Sequence, residues 1–187
     1  MAMPPAKNRV RIIGGEWRSR IIGFPSHKDL RPTPDRVRET LFNWLGQELT
    51  GKDCLDLFAG SGALGFEAAS RGARRVVMVE HDAIAWRALR ENIAALAAQS
   101  VELKRADALE FLRADPGCYD VVFLDPPFRA DYLRQVFPVL APRLAPGAMV
   151  YVEAPVPPAL PAHWEVWRSG RAGAVTYQLL KWTGHDA

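Results

Sequence analysis

From residue 53 onward, short apolar runs alternate with helix-patterned segments, and that regularity admits few folds. Strands are expected at Cys54–Phe58, Arg75–Glu80, Val101–Arg105, Tyr119–Leu124 and Met149–Glu153, and helices at Ala63–Ser70, Ala83–Ala97, Ala108–Leu112 and Asp131–Leu140. The run at Tyr119–Leu124 is almost continuously apolar, the mark of a strand covered on both faces. Strand–helix alternation of this kind implies a mostly parallel, twisted α/β sheet with helices on both faces. Trp164–Arg168 and Ala174–Trp182 read as an antiparallel closing hairpin across Gly170–Gly173. Pro155–Pro161 holds too many prolines for a helix.

Upstream, residues 9–25 carry two β-branched runs about Gly14-Gly15, a hairpin signal. Asp35 reads as the N-cap of a helix over Arg36–Leu45, with Val37, Leu41, Trp44 and Leu45 on its core face. Charge divides the chain at about the same place. Residues 1–38 hold nine Lys or Arg against three Asp or Glu, a net +6, while residues 39–187 carry −3. A basic arm, residues 1–34, on a mildly acidic body, residues 35–187, suits a polyanionic partner. A solubilising tail accounts for the charge alone equally well.

Bulk properties exclude several classes. No stretch approaches the roughly 18 to 20 uninterrupted apolar residues of a membrane span, and the start lacks an apolar signal core, so a cytoplasmic protein is expected. Cys54 and Cys118 both sit in strand-like runs and read as buried core residues. His27, His81, His163 and His185 are scattered without metal-ligand spacing, so no metal is expected. Nothing in the chain demands more than a monomer.

Three motifs carry chemistry. Gly60-Ser61-Gly62-Ala63-Leu64-Gly65 matches G-x-G-x-x-G at a strand-to-helix turn, and Glu80 ends the next strand twenty residues after Gly60. Glycines there let backbone approach a ligand, and an acid at that spacing can accept from ribose hydroxyls. Both NAD and S-adenosyl-L-methionine fit that signal. Asp56, in the strand before the loop, favours the latter, because it would repel a pyrophosphate but attract an amino group. Asp107, after the third strand, is placed to take an adenine amino group. The fourth strand delivers Asp125-Pro126-Pro127-Phe128, an acid, two prolines and a ring, to the same sheet edge. The prolines remove two N–H donors, so the bend offers acceptors only, which suits an exocyclic NH2 on a nucleobase. An ordinary strand-ending turn is the plain alternative.

Together these residues resemble the class I amino-methyltransferases that act on nucleobase nitrogens. Arg11–Arg18, Leu30–Glu39 and Leu55–Gly62 extend the likeness to the bacterial 16S rRNA guanine-N2 methyltransferase D family, whose target is guanine 966. The resemblance covers roughly residues 9–153. It implies a Rossmann-like fold with an N-terminal β-hairpin extension, and S-adenosyl-L-methionine as cofactor, leaving as S-adenosyl-L-homocysteine. Asp125, Pro126, Pro127 and Phe128 would be catalytic. The cofactor would lie on Asp56, Phe58, Gly60, Gly62, Glu80, Asp107 and Ala108, with Thr33 at its methionine end. Arg9, Arg11, Trp17, Arg18, Arg20, Arg31 and Arg36 would meet RNA; Trp17 alternatively caps the hairpin's apolar face. The partner would be 16S rRNA, within a partly assembled 30S subunit or free. An adenine-N6 methyltransferase, or a nicotinamide-dependent oxidoreductase on the same glycine turn, are the competing readings.

Overall fold

The computed structural model describes residues 8–26, 30–127 and 132–184. Seven strands form one sheet. β3 (Asp53–Asp56), β4 (Arg75–Glu80), β5 (Val101–Arg105), β6 (Tyr119–Leu124) and β7 (Leu144–Ala154) are joined in parallel. β8 (Trp164–Ala172) and β9 (Val175–Trp182) add antiparallel, giving the order β5-β4-β3-β6-β7-β9-β8. A separate antiparallel ribbon pairs β1 (Asn8–Arg11) with β2 (Ile21–Phe24).

Period-2 alternation along the central strands splits the interior in two. Cys54, Val76, Met78, Val121, Phe123 and Tyr151 point to one face, where they meet α1 (Asp35–Trp44), α2 (Ala63–Ser70) and α3 (Ala83–Leu96). Leu55, Val77, Val79, Val122, Leu124 and Val150 point to the other and pack on α4 (Ala108–Ala114) and α5 (Tyr132–Leu140). The chain leaves β3 toward β4 on one side, whereas β6 lies on its other side. A crevice therefore opens between the carboxyl ends of β3 and β6, the edge where open α/β sheets hold ligands.

The ribbon is built into this body. Val10, Ile12, Trp17, Ile22 and Phe24 are buried in the same core cluster as Val37, Leu41 and Phe42 of α1. Arg9 and Arg11 alternate outward, as expected. Trp17 is 8% exposed, so its ring belongs to the core and is not presented to a base. Gly14-Gly15 does not form the hairpin turn either. The connection runs from residue 12 to 20 and folds onto the C-terminal end of α2. Glu67 accepts from the Ile13 and Gly14 amides at 3.0 and 2.8 Å. The Ser70 hydroxyl donates to the Gly14 carbonyl and accepts from the Trp17 amide, and the Ser70 carbonyl accepts from the Glu16 amide. Gly15 adopts φ +77°, and a Cβ there would stand 1.9 Å from the Ser70 carbonyl oxygen. Gly15→Ala is therefore expected to destabilise the protein by about 1–3 kcal/mol. Thermal unfolding that matches wild type would contradict the docking.

Other local readings also shift. Pro34 occupies the N-cap position of α1; Asp35 is its first residue and pairs with Arg38 and, at 3.7 Å, with Arg11. Phe42 and Arg38 are the buried partners of Val37 and Leu41, while Trp44 and Leu45 are half-buried. Cys54 is buried, but Cys118 is exposed, since the run Gly117-Cys118 precedes β6 instead of joining it.

Candidate cofactor cleft and active site

Each wall of the crevice is a strand end. Leu30, Arg31, Thr33, Asp56, Phe58, Gly60, Ser61 and Asp125 line a single cleft, so the glycine turn and the Asp-Pro-Pro bend face one another. A larger cavity of about 340 Å3 lies at the opposite, amino edge among Lys52, Asp120, Met149 and Trp167, and holds none of the expected site residues.

The turn is held by its own acids. Asp56 is buried and accepts from the Gly65 amide at 3.0 Å. Glu80 accepts from the Gly60 amide at 2.8 Å and from the Asp82 amide at 3.0 Å. A carboxylate has further lone pairs, so Glu80 still has capacity for hydroxyls. Gly60 and Gly62 play different parts. A Cβ on Gly60 would meet the Leu30 side chain only at 3.5 Å, leaving that backbone open to the cleft. Gly62, at φ +86°, would drive a Cβ within 2.5 Å of Phe66 and 2.7 Å of Leu89. Gly62 therefore serves helix packing more than ligand approach.

Asp107 caps α4, one oxygen accepting from the Leu109 and Glu110 amides, while the other meets the Tyr132 hydroxyl at 3.5 Å. Tyr132 also packs edge-on against Phe58, with centroids 5.3 Å apart. Asp107, Phe58 and Tyr132 thus form one aromatic-and-acid corner suited to a purine. Tyr132 carried no signal in the sequence, because its place depends on how α5 returns to the sheet. Ala108 is 5% exposed, its methyl group packed in the core, so only its backbone can serve a ligand.

The floor is acidic. Asp125 follows β6, with Pro126 buried and Pro127 exposed; Phe128 lies outside the described residues. Glu153, 8% exposed near the end of β7, stands beside Asp125 because the preceding residues Val152 and Leu124 are partners across β7 and β6. It accepts from the Thr33 hydroxyl at 3.3 Å. Thr33 is thereby committed to Glu153, in addition to lining the cleft. Burial, and then the Glu153 charge, push the Asp125 carboxyl well above the usual range. Burial likewise raises Glu153 and lifts Asp56 to about 7. Sequence reasoning missed Glu153. The available signal was an acid ending a buried strand, as Glu80 does.

Because the folded protein holds the Asp56 proton more tightly than the unfolded chain, ionising Asp56 opposes folding. That penalty is absent below about pH 4 and grows as pH rises to about 7. Asp56→Asn should therefore melt about 5 °C above wild type near pH 8 and equal to it near pH 4, while binding the cofactor less tightly. Equal melting at both pH values would contradict the assignment.

A floor of three carboxyl groups suits a ligand bearing cationic sulfonium and ammonium groups, and opposes a pyrophosphate. The fold and the site define the class I S-adenosyl-L-methionine-dependent methyltransferases. A family model described as "Conserved hypothetical protein 95" matches residues 10–181. Ribosomal RNA small subunit methyltransferase D of Escherichia coli is 43% identical over 178 residues, covering 92% of this chain and 90% of that protein. Its Haemophilus influenzae counterpart is 41% identical over 186 residues, covering 95% and 96%. A solved Escherichia coli structure superposes with a TM-score of 0.87 at 43% identity, over 95% of this chain and 100% of that one. The chain belongs to the ribosomal RNA small subunit methyltransferase D family.

Proposed function

We propose that this enzyme methylates the exocyclic N2 of a guanine in 16S rRNA, the guanine-966 position of the family resemblance, during small-subunit assembly in the cytoplasm. The observation that carries the reading is the shared cleft, with Asp125 and the Gly60 turn on facing walls. The cofactor supplies an electrophilic methyl group. Everything else is asked of the protein.

Guanine N2 is a poor nucleophile because its lone pair is delocalised into the ring. One N–H donates to the Asp125 carboxyl and the other to the Pro126 carbonyl, which draws the nitrogen toward tetrahedral geometry and aims its lone pair. Positive charge growing on nitrogen is met by the negative charge that Asp125 and Glu153 hold between them, an interaction stronger in the transition state than in the ground state. The two prolines fix those acceptors beforehand. Phe128 stacks on the base once it leaves its helix. Asp56 and Thr33 hold the methionine end, Glu80 the ribose, and Asp107 with Phe58 the adenine.

Residues 1–34 serve as the RNA-gripping segment and residues 35–187 as the transfer domain. Arg9, Arg18, Arg31 and Arg36 are exposed. Arg20 donates to the Ala95 carbonyl at the end of α3, and Arg11 stands 3.7 Å from Asp35 as an ion pair, so those two also brace the ribbon. Arg9→Glu with Arg18→Glu should weaken RNA binding roughly 10- to 100-fold at moderate salt and flatten its salt dependence, without changing cofactor affinity. Parallel loss of both affinities would count against a separate RNA surface.

Tritiated methyl transfer to 16S rRNA and to 30S particles lacking the modification, followed by mass spectrometry of the labelled nucleoside, tests the assignment. N2-methylguanosine supports it; N6-methyladenosine, or no transfer to either substrate, contradicts it.

A further inference from the structure

The mechanism above gives Glu153 only a share of the negative charge and leaves the released proton without a destination. Glu153 is buried and follows Val152, the β7 partner of Leu124, so it stands beside Asp125 at the end of β6. It accepts from the Thr33 hydroxyl that lines the cleft. We propose that Asp125 and Glu153 act as a one-proton pair that takes up the proton released by methyl transfer, with Glu153 as a positioning residue that acts through Asp125. The inference rests on the guanine-N2 reading and deepens it.

Two carboxyl groups hydrogen-bond only with a proton between them, so the resting pair holds one proton and one negative charge. That proton sits on the Asp125 oxygen facing Glu153, because the Thr33 hydroxyl stabilises Glu153 as the acceptor. The other Asp125 oxygen remains an acceptor for the amine. During transfer the nitrogen lone pair bonds to the methyl carbon as the carbon–sulfur bond breaks, its electron pair leaving on sulfur. The nitrogen then carries two hydrogens and a positive charge. One of these passes as a proton to the outer Asp125 oxygen, while the shared proton moves to Glu153. The pair ends neutral, the product amine neutral, and the second proton leaves to water once the cleft opens. Asp56 on β3, Tyr151 on β7 and Tyr177 on β9 surround the pair, and Arg31 lines the cleft above it. Among the described residues no cation forms a salt bridge with either carboxylate.

Single-turnover methylation of the rRNA substrate, followed against pH, reads the pair directly. Wild type should lose rate in acid as the pair gains its second proton before reaction. Glu153→Gln, which keeps the shape but cannot take the proton, should slow the step about tenfold, less than the 10²–10⁴ of a direct general base. It should also move the acid limb to higher pH, because ionised Asp125 loses the hydrogen bond of the shared proton. Thr33→Val removes a hydroxyl that favours ionised Glu153, so its acid limb should likewise move to higher pH. Carbon-13 carboxyl NMR of the free protein gives a readout without turnover: one carboxyl of the wild-type pair stays protonated where ordinary Asp and Glu are ionised, and Glu153→Gln loses that signal. Should Glu153→Gln fail to fold, the wild-type NMR and the Thr33→Val shift still decide. A wild type that methylates guanine, with acid limbs unmoved in both variants or with both carboxyls ionised at neutral pH, overturns the relay alone. A wild type that does not methylate guanine removes the function reading and the relay with it.

Discussion

Replacing Asp125 by alanine should lower single-turnover methylation roughly 100- to 1,000-fold, the scale of one transition-state hydrogen-bonding group lost from a preorganised site. Cofactor affinity should fall far less than the rate, by about tenfold at most for one of several carboxyl groups near the cationic ligand. The groups around the Gly60 turn, namely Asp56, Glu80 and Gly65, make no hydrogen bond to Asp125. Truncation removes the acceptor that aims the amine and half of the negative charge centre. It also removes the partner of Glu153, which then faces the cleft alone. The fold should tolerate the change and even gain from it, since two carboxyl groups no longer compete for one buried place. Asp125→Asn is the sharper companion: it keeps a carbonyl acceptor toward the amine but cannot take a proton, so its rate should fall between wild type and alanine. Near-normal turnover in Asp125→Ala would remove the proposed chemistry, and equal losses in rate and cofactor affinity would reassign Asp125 to binding.

The largest effect on stability is expected at Glu67. Its side chain is fully buried in α2 and accepts from Arg38 at 3.2 Å, Arg71 at 3.0 Å and the Ile13 and Gly14 amides. Arg38, 1% exposed, also donates to the Thr33 and Arg11 carbonyls. One carboxylate thus ties together the glycine-turn helix, the N-terminal ribbon and the segment that carries Thr33 into the cleft. Removing Glu67 leaves Arg71 without its carboxylate and Arg38 with only the partly exposed Asp35, costing about 3–5 kcal/mol. Glu67→Ala should therefore melt about 10 °C lower, with the ribbon's amides losing hydrogen-exchange protection before those of β4 or β6. Glu67→Gln, which keeps the acceptor oxygen but not the charge, should recover part of the loss. Unchanged melting in Glu67→Ala would mean that the network contributes nothing net.

The boundaries that sequence placed well are those where an apolar run stops at a residue that cannot continue it. Arg75–Glu80, Val101–Arg105 and Tyr119–Leu124 end in charge or at Asp125-Pro126, and α2 runs from the glycine turn to Arg71-Gly72. Readings that depended on partners distant in the chain fared worse. Gly14-Gly15 carries the composition of a tight turn, yet it is shaped by the Ser70 and Glu67 groups more than fifty residues away. Arg38 looked like one more cation of a basic arm, and only the arrival of Glu67 makes it a buried one. β7 begins at Leu144, five residues before the expected start, because Leu144 pairs with Tyr119 through a register shift that Pro146-Gly147 conceals. The same limit governs the site. Asp56, Glu80, Asp107 and Asp125 were legible because strand ends in an alternating α/β chain meet at one edge. Glu153 and Tyr132 were not, since their roles come from which side chains those ends bring together.

The account stands on a nucleobase amine held by the β6 bend next to the cofactor's reacting end. A crystal structure of the protein with S-adenosyl-L-homocysteine and a short guanine-containing RNA tests this most directly. Guanine N2 should lie within about 3.2 Å of both the Asp125 carboxyl and the Pro126 carbonyl, facing the cofactor sulfur across one methyl-sized gap. A guanine whose N2 points away from Asp125, or a cofactor bound outside the cleft between β3 and β6, would contradict it.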